Sequence, residues 1–167
     1  MRFVLVDRIE ALEPGRRIVA VKNLTLGEEY LQDHFPTFPV MPGVLMLEAL
    51  VQAGAWLWRI STNFSHSVVV LREAKGIKYG NFVEPGRQLV LTVEAVDNLD
   101  ENAQIATFKG NGEIGGTSAV SARFTLTRYN LRERFPNLAP LDEELLADWR
   151  RRHMALTPLA PPVGQRG

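Results

Sequence analysis

The chain contains no cysteine, which excludes disulfides, thiolate metal sites and cysteine nucleophiles. Its charges cancel: 19 basic and 19 acidic residues leave a formal net charge of zero. Nothing global therefore favours nucleic acid or an anionic membrane as a partner. Only three histidines occur, without close spacing and without an HExxH pattern, so no metal site is expected. Long apolar runs are missing too. The longest, Val44 to Trp58, covers about 15 residues, short of the ~18 that suggest a membrane span. The opening "MRFVLVDRIEAL" is interrupted by Asp7, Arg8 and Glu10, too early for a signal peptide. The expectation is a soluble cytoplasmic protein.

What is present is an ordinary globular composition, 46% hydrophobic and 23% charged over 167 residues, enough for one domain with a real core. Residues 1–13 read as a helical turn or an edge strand. "RRIVAVKNLTL" keeps a rough two-residue rhythm and reads as a strand. Pro42 and Gly43 open an apolar helix from Val44 to Ile60, apolar on nearly every face and so wrapped by other structure. Four strand-like runs follow: "SVVVLREAKGIKYG", "RQLVLTVEAVDNL", "AQIATFKGNGE" and "TSAVSARFTLTRY". The glycine pairs of "GNGEIGG" read as hairpin turns, not a phosphate loop, because no strand–Gly–helix order follows them. One central helix with mostly consecutive strands points to an antiparallel α+β domain. From about Tyr129 the character shifts to a short amphipathic helix with acids early and arginines late, then a Pro-rich tail. The expected division is a domain over 1–128 and a C-terminal extension over 129–167.

The chemistry concentrates in "DHFPTFPVMPGVLMLEAL", Asp33 to Leu50. Glu48 sits inside the apolar helix, with Val44, Leu45, Val51 and Gln52 at helical neighbour positions. A buried, unpaired carboxylate tends to take a proton, and a neutral acid near pH 7 is a competent general acid. Gln52, one turn on, is placed to orient it. The structural alternative for Glu48 is a buried ion pair with an Arg or Lys across an interface. His34 precedes a loop stiffened by Pro36, Pro39 and Pro42, and imidazole suits proton transfer near neutrality. The alternative is a merely structural or exposed loop histidine. Gly43 at the helix start offers a backbone N–H to a carbonyl oxygen gaining negative charge; the alternative is a simple Pro-Gly turn. Together these groups suit proton abstraction beside a thioester carbonyl: Gly43 polarises the carbonyl, His34 takes the α-proton and Glu48 protonates the departing β-hydroxyl.

The segment "HFPTFPVMPGVLMLEALVQAGA" resembles the active-site segment of the FabZ-type 3-hydroxyacyl-[acyl-carrier-protein] dehydratases, roughly HFPGHPVMPGVLxxEAxAQ, with the same 14 positions from His34 to Glu48. "VDRIEALEPGRRIVAVKNLT" and "KGIKYGNFVEPGRQLVL" extend the similarity to roughly residues 2–127. The resemblance implies a hotdog fold, an antiparallel sheet wrapped around the long central helix. It implies a homodimer with His34 of one chain meeting Glu48 of the other, and a trimer of dimers as a higher assembly. It also implies that the Val40 carbonyl holds the His34 ring, that Gly43 contacts the thioester oxygen and that Gln52 supports Glu48. Phe35 lines the acyl tunnel, and Phe38, Met41 and Pro42 line or gate it. No metal or organic cofactor is implied; the partner is acyl carrier protein with a phosphopantetheine-linked substrate.

This chain departs from the family pattern at Thr37-Phe38, where Gly-His is usual, and at Arg87, where the turn normally carries Asp. A Thr at a φ > 0 position would reshape the loop, and Phe38 would narrow the tunnel. Arg59, Lys75, Lys78 and Arg87 are the candidates for a basic surface that attracts an acidic carrier. His66 and His153 are expected in solvent, and Trp56 and Trp58 in the core or dimer interface. The expected activity is dehydration of 3-hydroxyacyl thioesters to enoyl thioesters in fatty-acid or related lipid synthesis. Two alternatives stay open: a hotdog thioesterase and a non-catalytic acyl-binding paralogue.

Overall fold

Two-residue alternation becomes six strands. In a computed structural model that describes residues 3–32, 34–35 and 37–157, these are β1 (Arg8–Glu13), β2 (Arg17–Asn23), β3 (Val68–Tyr79), β4 (Gln88–Ala95), β5 (Ile105–Ile114) and β6 (Thr117–Tyr129). They form one sheet in the order β1-β2-β4-β5-β6-β3, every pair antiparallel. Helix α1 (Gly43–Ser61) falls between β2 and β3 in the chain, and α2 (Ala139–Leu156) follows β6. This is an α+β hotdog fold. The N-terminal segment resolves as an edge strand rather than a helical turn.

Alternation decides which face is buried. Leu89, Leu91 and Val93 of β4, Ala106 and Phe108 of β5, and Phe124 and Leu126 of β6 all point inward. Phe108 and Phe124 are register partners, their rings stacked at 5.7 Å, and Trp58 of α1 leans on Phe108 at 6.0 Å. Fully burying side chains of this size contributes about 1.5–3 kcal/mol each. Gly110 and Gly112 are not turn residues, as the sequence suggested; they lie inside β5. A Cβ at Gly110 would stand 3.1 Å from Leu50, so its absence lets α1 settle close to the sheet. Only Gly115 and Gly116 make the hairpin turn.

α1 is wrapped from Ala49 to Arg59 but open at its start: Val44 is 69% exposed. The expectation of a helix enclosed on nearly every face therefore fails at its first turn. β3 forms one edge of the sheet, twelve residues long, and exposes Val70, Leu71, Ile77 and Tyr79.

α2 is longer than the short helix anticipated, 18 residues, and docks on the domain. Asp142 is the anchor. It is wholly buried and accepts hydrogen bonds from the Ser67 hydroxyl, the Leu131 and Arg132 N–H groups (2.9 Å each) and the Arg132 guanidinium (3.1 Å). Burial pushes its carboxyl upward, but these bonds outweigh burial and the net pKa falls to about 2. Trp149 adds an indole N–H to the Ser67 carbonyl at 3.0 Å and an edge contact to Trp56 at 5.5 Å. His153, expected in solvent, instead packs between Trp56 and Phe64, and burial lowers its pKa. His66 is likewise half-buried and bonded to Ser65 at 2.8 Å; burial first, then Arg128, lowers its pKa. The Pro-rich tail expected after α2 lies outside the described residues.

Candidate active site

The loop before α1 carries His34 into a cavity of about 200 Å³ shared with Val40, Met41, Gly43, Tyr79 and Phe82. Pro42, placed by the sequence at the first helical position, is the residue just before the helix, and Gly43 begins it. No side chain caps this helix start; the Leu45 and Met46 N–H groups donate to the Pro42 carbonyl, and Gly43, whose N–H has no intrahelical acceptor at that position, lines the cavity. The reason for glycine here was not visible in the sequence. A Cβ at Gly43 would stand 3.0–3.3 Å from the Tyr79 ring. Tyr79, at the end of β3, thus lies over the helix start, and only glycine admits it at this separation.

The loop carries a positive φ at Phe35, +52°, a region that favours glycine. Its carbonyl accepts the Phe38 N–H at 2.8 Å, closing a tight turn. Phe35 and Phe38 are 58% and 48% exposed. Neither lines a cavity with Glu48 in the single chain; Phe38 instead meets Phe82 edge-on at 5.7 Å. Val40 and Met41 are buried, and Met41 is tied down by its N–H to the Val83 carbonyl at 2.9 Å. Among the described residues no hydrogen bond joins the His34 ring to the Val40 carbonyl; the two share a cavity wall.

Glu48 lies elsewhere. It is half-buried rather than buried, and it lines a second, larger cavity of about 660 Å³ with Gln52, Arg59, residues 69–71 of β3 and Trp149 and Leu156 of α2. Gln52 donates to Glu48 at 3.0 Å. The orientation of its amide is dictated by the N-terminal segment: Leu5 N–H donates to the Gln52 oxygen at 3.0 Å, and the Gln52 nitrogen also donates to the Phe3 carbonyl at 3.3 Å. With its oxygen occupied by a donor, Gln52 must present N–H to the carboxylate. Nothing in the local sequence announced the contribution of Phe3 and Leu5.

The structure therefore groups His34, Val40, Met41 and Gly43 on one side and Glu48 with Gln52 on another. Arg59, expected on a basic surface, is 6% exposed and forms part of the larger cavity. Lys75 pairs with Glu73 at 2.9 Å, while Lys78 and Arg87 stay exposed. No metal-binding cluster occurs among the described residues, and no helix among them is long and apolar enough to cross a membrane.

The FabA-like domain family matches residues 1–123. The 3-hydroxyacyl-[acyl-carrier-protein] dehydratase FabZ of Albidiferax ferrireducens is 44% identical over 126 residues, covering 74% of this chain and 82% of that protein. The enzyme of the same name from Variovorax paradoxus is 42% identical over 123 residues, 72% of this chain and 80% of that protein. Among solved structures, the dehydratase heterocomplex ApeI:P from Xenorhabdus doucetiae superposes with a TM-score of 0.65 at 18% identity, over 81% of this chain and 90% of that one, a likeness of fold. α2 lies beyond the family match. By sequence and by fold, the chain belongs to the FabZ-type 3-hydroxyacyl-[acyl-carrier-protein] dehydratase family.

Proposed function

We propose that the protein removes water from 3-hydroxyacyl thioesters carried on acyl carrier protein, in fatty-acid or related lipid synthesis, and that it works as a homodimer. The observation that carries this reading is the separation of His34 from Glu48. Each chain offers a base beside an uncapped helix start in one cavity and an amide-oriented acid in another. A two-fold dimer brings unlike halves of one surface together twice, so His34 of one protomer would face Glu48 of its partner. The free edge of β3, with its row of exposed apolar residues, supports pairing with a second copy, because an unpaired edge of that length invites another strand.

In the proposed reaction the Gly43 N–H donates to the thioester carbonyl as charge develops on it. His34 takes the proton from Cα, the Cα–Cβ double bond forms, and the Cβ–O bond breaks. Glu48 gives its proton to the leaving hydroxyl, which departs as water. The proton held on His34 passes to Glu48 or solvent to restore the starting state. Proton transfers of this kind contribute about 10²–10⁴-fold each.

The test follows enoyl-thioester absorbance with acyl-carrier-protein substrates. His34→Ala and Glu48→Gln are each expected to lose about 10²-fold or more while keeping the wild-type melting curve. Mixing the two inactive variants and letting subunits exchange should restore about a quarter of the wild-type rate, since half of the random dimers carry one intact site. Full activity in either variant sinks the chemistry. No recovery on mixing, with exchange verified, sinks the shared site. Free-thiol release without enoyl product would mark a thioesterase instead.

A further inference from the structure

Arg59 is the outlier of the larger cavity. It is 6% exposed, and its Nε has no hydrogen-bond partner. No carboxylate forms an ion pair with it among the described residues; the aspartate nearest in α2's basic run, Asp148, is engaged with Arg151 and Arg152. What Arg59 does touch is aromatic: its Cζ lies 4.0 Å over Trp149 and 6.0 Å from the Trp56 ring. Burial pushes its pKa down to about 9, with no neighbouring acid to pull it back. A guanidinium carries five N–H donors in a planar fork suited to a carboxylate. Buried charges are normally paired, and here no partner occurs among the described residues.

The position of Arg59 gives that vacancy a direction. Eleven residues separate it from Glu48, three turns along the same face of α1, which sets their backbones about 16 Å apart. Between them the cavity is apolar: Val51, Ala55 and Trp56 from the helix, Val69 to Leu71 from β3. The order along the cavity is therefore acid, hydrocarbon wall, buried cation. The indole of Trp149, from the helix beyond the family match, closes over the cation.

We infer that this cavity receives the acyl chain of a substrate whose distal end carries a carboxylate, and that the Arg59 fork pairs with that carboxylate beneath Trp149. This assignment rests on the dehydratase reading for the location of the reacting end at Glu48. A hydrocarbon with a plain methyl terminus leaves the guanidinium buried and unpaired, so the site discriminates against it. Arg59 is thereby a specificity-determining residue that takes no part in the proton transfers.

The experiment compares two 3-hydroxyacyl thioesters on acyl carrier protein, matched in length and ending in methyl or in carboxylate. The wild-type protein is expected to favour the carboxylate-ended chain by about tenfold or more in kcat/KM. Arg59→Leu should lose about a hundredfold on that chain and gain on the methyl-ended one, reversing the order; Arg59→Lys, which keeps the charge without the fork, should fall between. A second measurement follows Trp fluorescence on titration with dodecanedioate and with its dimethyl ester. The dicarboxylate should bind about tenfold more tightly to the wild type only. A wild-type preference for the methyl terminus overturns the inference, and so does an equal loss on both substrates in Arg59→Leu, which would make Arg59 an anchor for α2. Absence of binding by either probe overturns it as well, the cavity then being filled by a second copy or closed. Tight dicarboxylate binding without turnover of either thioester sinks the dehydratase reading and leaves the Arg59 assignment standing.

Discussion

Leu5 and Glu48 are joined through one amide: Leu5 N–H donates to the Gln52 oxygen at 3.0 Å, and the Gln52 nitrogen donates to Glu48 at 3.0 Å. The buried backbone of the N-terminal segment thus determines which end of Gln52 the carboxyl group meets. A positioning residue of this kind contributes through the geometry of its neighbour.

Gln52→Leu should lower kcat by about tenfold to a hundredfold with KM nearly unchanged, because the carboxyl group loses its orienting donor while the acyl wall is preserved. Steady-state kinetics beside a thermal melt checks this. A rise in KM with unaltered kcat would show that Gln52 serves binding alone.

Gly43 and Tyr79 form a coupled pair. Gly43→Ala brings a methyl group within 3.0–3.3 Å of the Tyr79 ring, which must shift. The expected cost is about 1 kcal/mol, falling toward zero when Tyr79 is replaced by Ala. A double-mutant cycle in urea measures the coupling. Additive costs would mean that the ring yields freely. Activity should fall in Gly43→Ala even where stability is regained, since the methyl group also faces the cavity that holds His34.

Asp142 sets a pH dependence. Its pKa is lowered to about 2 from 3.8, so it binds a proton less readily in the folded state than in the unfolded one. The stability it supplies is complete above the ordinary carboxylate range and drains away as pH falls from about 4 toward 2. Trp149 fluorescence should report undocking of α2 across that window, and Asp142→Asn should flatten that part of the acid transition. Asp142→Ala, which strands the Ser67 hydroxyl and two backbone N–H groups, is expected to cost about 2–4 kcal/mol at neutral pH. An acid profile identical in Asp142→Asn would remove Asp142 as the responsible group.

Much of the fold was legible because the signals were local. Alternation marked the strands, and the apolar run after Pro42-Gly43 marked α1. The loop histidine and the carboxylate within α1 were singled out as candidates from residue type and surroundings, and the Gln52–Glu48 hydrogen bond was anticipated from the i+4 spacing. What escaped reading depends on distant partners. Phe3 and Leu5 reach Gln52 across nearly fifty residues, and Tyr79 reaches Gly43 across thirty-six. The docking of α2 rests on Asp142 and Ser67, seventy-five positions apart, so its amphipathic pattern alone could not name what it packs against. Arg59 did leave a trace: an arginine in "WLWRIS", three turns beyond Glu48 on one helix face. It was read as surface charge because basic residues seldom occupy a helix interior.

A chain cut after β6 would lose α2. Such a fragment would uncover the indole of Trp56 and strip the lid from Arg59, admitting water to the far end of the larger cavity. On the role proposed for Arg59, α2 would thereby tie the choice of one hydrocarbon terminus over another to its own docking.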